Sequence, residues 1–96
     1  MLSRDDIIKI LKEKKQDFNI DFFVLFGSFA RGTQHKNSDI DIAYILKKGK
    51  KLSFEKYLQL EEELKKIIQL PIDIMNFEKL NPLIKLHAKE DFIYVW

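Results

Sequence analysis

Twenty-five residues, Phe22 to Leu46 (FFVLFGSFARGTQHKNSDIDIAYIL), constrain this chain more than any other stretch. Phe22 to Phe26 is an unbroken apolar run, as expected of a strand buried on both faces. Gly27-Ser28 ends the run and turns the chain into a short helical segment closed by Gly32, and a polar loop covers Thr33 to Ser38. Asp39 to Leu46 then predicts a second strand. Side chains alternate along a strand, so Asp39 and Asp41 project from one face while Ile40, Ile42 and Tyr44 pack on the other. Their Cα atoms would lie roughly 6.5–7 Å apart. From that spacing two carboxylates can converge on a pair of divalent cations about 3.5–4 Å apart. Asp is depleted in strands and two like charges on one face repel, so a bound metal is the economical reason for the pattern. The plainer reading is a solvated edge-strand face.

Gly27 and Ser28 supply a complementary half. A glycine at a strand-to-helix turn lets backbone approach a ligand closely, and the free N–H groups that open the following helix can hold phosphate oxygens. An ordinary tight turn with a serine N-cap would use the same two residues. A Walker loop does not fit, because Thr33 stands where that loop carries its lysine. Arg31 falls in the first turns after Ser28, where a guanidinium either clamps phosphates bidentately or makes a surface salt bridge. His35, in the polar loop, is read as a solvated loop histidine.

Gly27-Ser28, then ten residues, then Asp39-Ile40-Asp41 resembles the signature of the polymerase-β-like nucleotidyltransferases. The fuller string GSFARG…SDIDI resembles their minimal nucleotidyltransferase branch, the small partners of HEPN-domain proteins. Two separated halves must match in spacing and in strand context, which makes the motif specific, and the flanking elements extend the resemblance over nearly the whole chain.

Length and composition set the bounds around this motif. Ninety-six residues predict one small domain, 1–96, with a hydrophobic share of 46% that suits a core-forming chain. No apolar run approaches the ~20 residues of a membrane span, and Met1 leads into a charged helix rather than a signal-peptide core, so the expectation is a soluble, cytoplasmic protein. Without cysteine there are no disulfides and no thiolate metal sites. A net charge of +2 is too small to argue for nucleic-acid binding. Lys47, Lys48, Lys50 and Lys51 directly follow the carboxylate strand; they form a solvated turn, or a basic lip near a triphosphate or an acidic partner.

The remaining elements alternate helix and strand. Ser3 and Asp6 make a capping pattern for a helix over about Arg4 to Gln16. Ser53 caps a longer helix to about Gln69, with Phe54, Tyr57, Leu58, Leu60, Leu64, Ile67 and Ile68 as its apolar stripe and Glu61–Lys65 and Glu62–Lys66 as i,i+4 pairs. Pro71 stops it. Ile72 to Phe77 predicts a third strand whose Asp73 faces opposite to Ile72 and Ile74, and so joins Asp39 and Asp41 if the strands are neighbours. Asn81-Pro82 opens a short last helix carrying Leu83, Ile84 and Leu86, with His87 at its surface. Phe92 to Trp96 predicts a peripheral fourth strand.

The resemblance implies an α/β fold: a small mixed sheet of about four strands with helices packed on it. It also implies nucleotidyl transfer. Two Mg²⁺ ions held by Asp39, Asp41 and Asp73 would serve an in-line displacement at the α-phosphate of ATP, with Gly27, Ser28 and Arg31 at the phosphates. A chain this short has little room for an acceptor-binding domain, so its acceptor site must come from a partner. For the minimal branch that partner is a HEPN-domain toxin, which the enzyme neutralises as its antitoxin by adenylylating a tyrosine. Two other readings remain at this point. One is a non-catalytic antitoxin that masks its partner by binding, and the other is the nucleotide-binding subunit of a two-component transferase for an aminoglycoside-like small molecule.

Overall fold

The computed structural model describes residues 3–27, 30 and 39–96. Helix α1 (Arg4–Lys14) opens on a reciprocal cap: Ser3 Oγ accepts from the Asp6 N–H at 3.1 Å, and Asp6 accepts from the Ser3 N–H at 2.9 Å. It ends two residues earlier than the periodicity predicts. A 3-10 turn over Gln16–Phe18 follows, and Asn19 takes a left-handed φ of 57° that swings the chain into β1 (Ile20–Phe26). Strands β2 (Ile40–Leu46) and β3 (Ile72–Asn76) flank the long helix α2 (Phe54–Ile68), and α3 (Pro82–Ala88) precedes the short β4 (Ile93–Val95).

These strands form one sheet in the order β3-β2-β1-β4. β1 runs antiparallel to β2 and to β4, while β2 and β3 are parallel, joined by the crossover through α2 that a parallel pair needs. The sheet is mixed, as expected, and β4 lies at its edge. β1 begins two residues before the apolar run, with an irregularity between Ile20 and Phe22 that shifts its register against β2. Such a bulge re-aims the residues beyond it and increases local twist.

The two faces of the sheet differ. Ile7 and Leu11 of α1 and Leu60, Leu64 and Ile68 of α2 pack on one face, against Ile20, Phe23, Leu25, Ile40, Ile42, Tyr44 and Ile74. Lys14 Nζ bridges the two helices to Glu63 Oε1 at 2.7 Å. The hydrogen bond from Lys14, then that from Gln59, holds the Glu63 carboxyl below its usual range. The opposite face carries a smaller cluster of Val24, Phe26, Ala43 and Leu80, with Phe22, Ile45, Met75, Phe77 and Phe92 around it.

Helix α2 follows its expected limits closely. Ser53 Oγ caps it by accepting from the Lys56 N–H at 3.2 Å. Its end is set before Pro71: Gln69 adopts φ 58° and donates its N–H to the Lys65 carbonyl at 2.9 Å. The buried stripe is narrower than the apolar sequence suggests, since Phe54, Leu58 and Ile67 are exposed. Of the two expected i,i+4 pairs, Glu61–Lys65 forms, at 3.3 Å.

Candidate active site

The parallel register of β2 and β3 sets Asp41 directly beside Asp73, and the antiparallel register of β1 and β2 sets Asp41 opposite Phe26. Ile40 donates its N–H to the Pro71 carbonyl at 2.9 Å, tying the start of β2 to the residue before β3 and fixing that alignment. Register partners in a parallel pair point to the same side, so both carboxylates leave the face opposite to α1 and α2. Tyr57 secures β3 from the helical side by donating its hydroxyl to the Ile74 carbonyl at 2.9 Å. Burial, then the Glu61 carboxylate, holds the Tyr57 phenol above its ordinary pKa.

Gly27 follows Phe26 and lies against Asp41. Its φ is +80°, and a Cβ built on it would overlap the Asp41 carboxylate and come within 3.2 Å of its Cγ. A side chain is excluded there twice, by backbone conformation and by the carboxylate itself. The two halves of the sequence motif therefore meet at Gly27 and Asp41. Ala30 is tied to α1 by Arg4, whose guanidinium donates to the Ala30 carbonyl at 2.9 Å. Arg4 and Tyr57 are positioning residues that sequence reasoning missed. Both act on backbone carbonyls 26 and 17 residues away, and such partners leave no local pattern.

The structure thus brings Gly27, Asp41 and Asp73 together. Asp39 lies two residues before Asp41, just outside β2, and is exposed. Ser28, Arg31 and His35 fall outside the described residues. Three carboxylates offer hard oxygen donors of the kind Mg²⁺ takes. Among the described residues no three His, Cys, Asp or Glu side chains are drawn closely enough together to hold a metal ion. Asp41 and Asp73 stand in register on adjacent strands, which lie about 4.8 Å apart, a spacing from which two carboxylates can share one cation. In donor chemistry and in strand position, the residues fit the metal that the sequence implies.

The lysine turn does not join this site. Lys47, Lys48 and Lys50, with Leu46, Gly49, Asn76 and Glu78, line a cavity of about 280 Å³, and Lys51 and Lys79 line an adjoining one of about 340 Å³. Both lie at the ends of β2 and β3 away from Asp41 and Asp73. Lys47 lies six positions beyond Asp41, roughly 20 Å at strand rise. That distance argues against a basic lip at the triphosphate for these lysines and leaves a solvated turn or a surface for an acidic partner at the far pole.

A family model for "Polymerase beta, Nucleotidyltransferase" matches residues 5–95. The chain belongs to the polymerase β nucleotidyltransferase family. A Methanocaldococcus jannaschii relative, provisionally named a protein adenylyltransferase, is 42% identical over 91% of this chain and 85% of its own length. The protein adenylyltransferase MntA of Thermococcus cleftensis is 29% identical over 99% of this chain and 98% of its own. Among solved structures, a variant of the MntA–HpeT toxin–antitoxin complex matches with a TM-score of 0.72 at 25% identity, over all of this chain and 73% of that one. The nucleotidyltransferase fold and the mixed four-strand sheet agree. Within that family the chain is a nucleotidyltransferase, and Gly27, Asp41 and Asp73 of the motif region occupy the strand ends just described.

Proposed function

We propose that this chain transfers AMP from ATP to a hydroxyl, that of a tyrosine, on a HEPN-domain toxin with which it assembles, and that it acts as the antitoxin of the pair. The observation carrying this reading is the packing of Gly27 against Asp41 with Asp73 in register beside it, because it joins a phosphate-holding turn to a pair of carboxylates. The names of the relatives support the same reading: MntA is a protein adenylyltransferase and stands in a toxin–antitoxin complex.

In this mechanism the Gly27 backbone and Ser28 hold the β and γ phosphates, and Arg31 adds a bidentate contact. Asp39, Asp41 and Asp73 would hold Mg²⁺, two ions in the full set. A metal held there would supply neutralisation of charge on the triphosphate and on the attacking and leaving oxygens. Asp73, at the open edge of the pair, orients the acceptor hydroxyl and takes up its proton. The acceptor oxygen bonds to the α-phosphorus, the bond from that phosphorus to the bridging oxygen breaks, and pyrophosphate leaves.

Asp73→Ala separates chemistry from binding. It keeps most ATP affinity and most partner affinity, yet transfer falls about 10²–10⁴-fold, the contribution of a positioned base. The assay incubates the purified pair with ATP and Mg²⁺ and reads the intact mass of the partner. An adduct of AMP mass with the parent chain, lost with Asp73→Ala, supports the proposal. No adduct with either protein, alongside full neutralisation of the partner by both, means that the chain works by masking.

A further inference from the structure

Asp41 and Asp73 leave the same sheet face that carries an aromatic stripe. β4 lies beside β1, with Val24 opposite Tyr94 and Leu25 opposite Ile93. Alternation puts Phe92, Tyr94 and Trp96 on the face away from α1 and α2. Phe92 meets Phe26 edge-on at 5.7 Å and Phe77 at 5.5 Å, and Tyr94 and Trp96 continue the line over Phe22, at 6.0 and 4.2 Å between ring centroids. Phe26 is the strand partner of Asp41 and Phe22 that of Ile45, so the stripe starts at the candidate catalytic carboxylates and runs away from them along β1 and β4. It is incompletely covered: Tyr94 is 50% and Trp96 63% exposed. α3 extends the same side, held there by Lys85 Nζ 5.1 Å over the Phe77 ring, and leaves Leu83 and Leu86 exposed.

We propose that this stripe, with the exposed leucines of α3, is the docking surface for the protein that carries the acceptor hydroxyl. The inference rests on the function proposed above. Its occupant follows from continuity with the reaction centre. A hydroxyl fixed in a folded protein must come within about 3–3.5 Å of the α-phosphorus, and a body lying over this face reaches the side of the sheet from which Asp41 and Asp73 project. Exposed Tyr and Trp farther along the same face are the residue types that anchor protein interfaces. The helical side offers an acceptor no such route, since α1 and α2 cover it and the carboxylates point away from it.

The test uses the full chain and its HEPN-domain partner. Tyr94→Lys with Trp96→Lys is expected to weaken the complex at least about 30-fold, with AMP transfer falling in parallel and Mg²⁺–ATP affinity staying within about twofold. Phe54→Lys, on the exposed side of α2, leaves the complex unchanged. Hydrogen exchange on the unsubstituted pair reads the same surface without any variant, and protection at residues 92–96 is expected. Unchanged affinity of the double variant, or protection confined to residues 54–68, overturns the proposal. So does a self-associated chain that the double variant converts to monomer, because the stripe would then belong to a second copy. A complex weakened by the double variant but never yielding an AMP adduct keeps the docking surface and overturns the transfer reaction. A parent chain that forms no complex overturns both.

Discussion

At position 27 the backbone sits at φ +80° with the Asp41 carboxylate where a side chain would begin. Gly27→Ala therefore meets two penalties, a left-handed backbone and a displaced carboxylate, together about 1–3 kcal/mol. Urea unfolding should show that loss, and AMP transfer should fall by more than the loss of folded protein accounts for, because the moved group is Asp41. A second test at this scale is Asp39→Asn with Asp41→Asn. Mg²⁺-dependent ATP binding should vanish in isothermal titration, while the metal-free melting temperature holds or rises as like charges are relieved. The motif itself was legible, since Gly27-Ser28, ten residues and Asp39-Ile40-Asp41 stand at the family's spacing in the sequence. The contact between its halves was not. It depends on Phe26 pairing with Asp41, and a one-residue slip of β1 against β2 would undo it.

Elements were legible where local chemistry sets them. Ser3, Ser53 and Asn81 all cap the helices they were expected to cap, and the alternation in Ile72–Asn76 placed Asp73 on the correct face. The turn from α1 into β1 was harder, because Asn19 adopts a positive φ without being glycine. The breadth of the α2 stripe was also overread: a helix on a small sheet buries one line of contacts, here Leu60, Leu64 and Ile68, and leaves Phe54 73% exposed. Leu64→Ala should accordingly cost about 2–5 kcal/mol, measurable by denaturant titration. Tyr57→Phe tests the tie between α2 and β3. Losing the hydrogen bond to Ile74 should cost about 1 kcal/mol and lower the melting temperature by about 4–8 °C. Burial raises this phenol's pKa in the fold, so its neutral form is favoured there. That contribution is complete below the ordinary value of about 10 and is lost as pH rises through the higher folded value. Melts at rising alkaline pH should show the gap between parent and Tyr57→Phe narrowing above pH ~10.

Across the whole molecule the sheet separates its charges, with carboxylates at one end and the lysine turn at the other. The sequence put these features side by side, because Lys47 lies only six residues beyond Asp41, but an extended strand carries it to the opposite pole. Lys47→Glu with Lys48→Glu and Lys50→Glu should leave the KM for ATP and the rate of transfer within about twofold at physiological salt. The separation of roughly 20 Å exceeds the Debye length of about 8 Å. Steady-state transfer assays on the parent and the triple variant decide it. The strand order has a further consequence for how the chain is made. β1 is an interior strand, yet its second neighbour is the last strand in the chain, with Phe23 paired to Val95. At about 5–20 residues per second, those ~70 residues take a ribosome roughly 4–14 s. Until Ile93–Val95 emerges, one hydrogen-bonding edge of FFVLF has no strand to close it. The most apolar segment of this protein is thus the slowest to be sheltered, which makes it the place where a holdase chaperone or a neighbouring nascent chain would engage first.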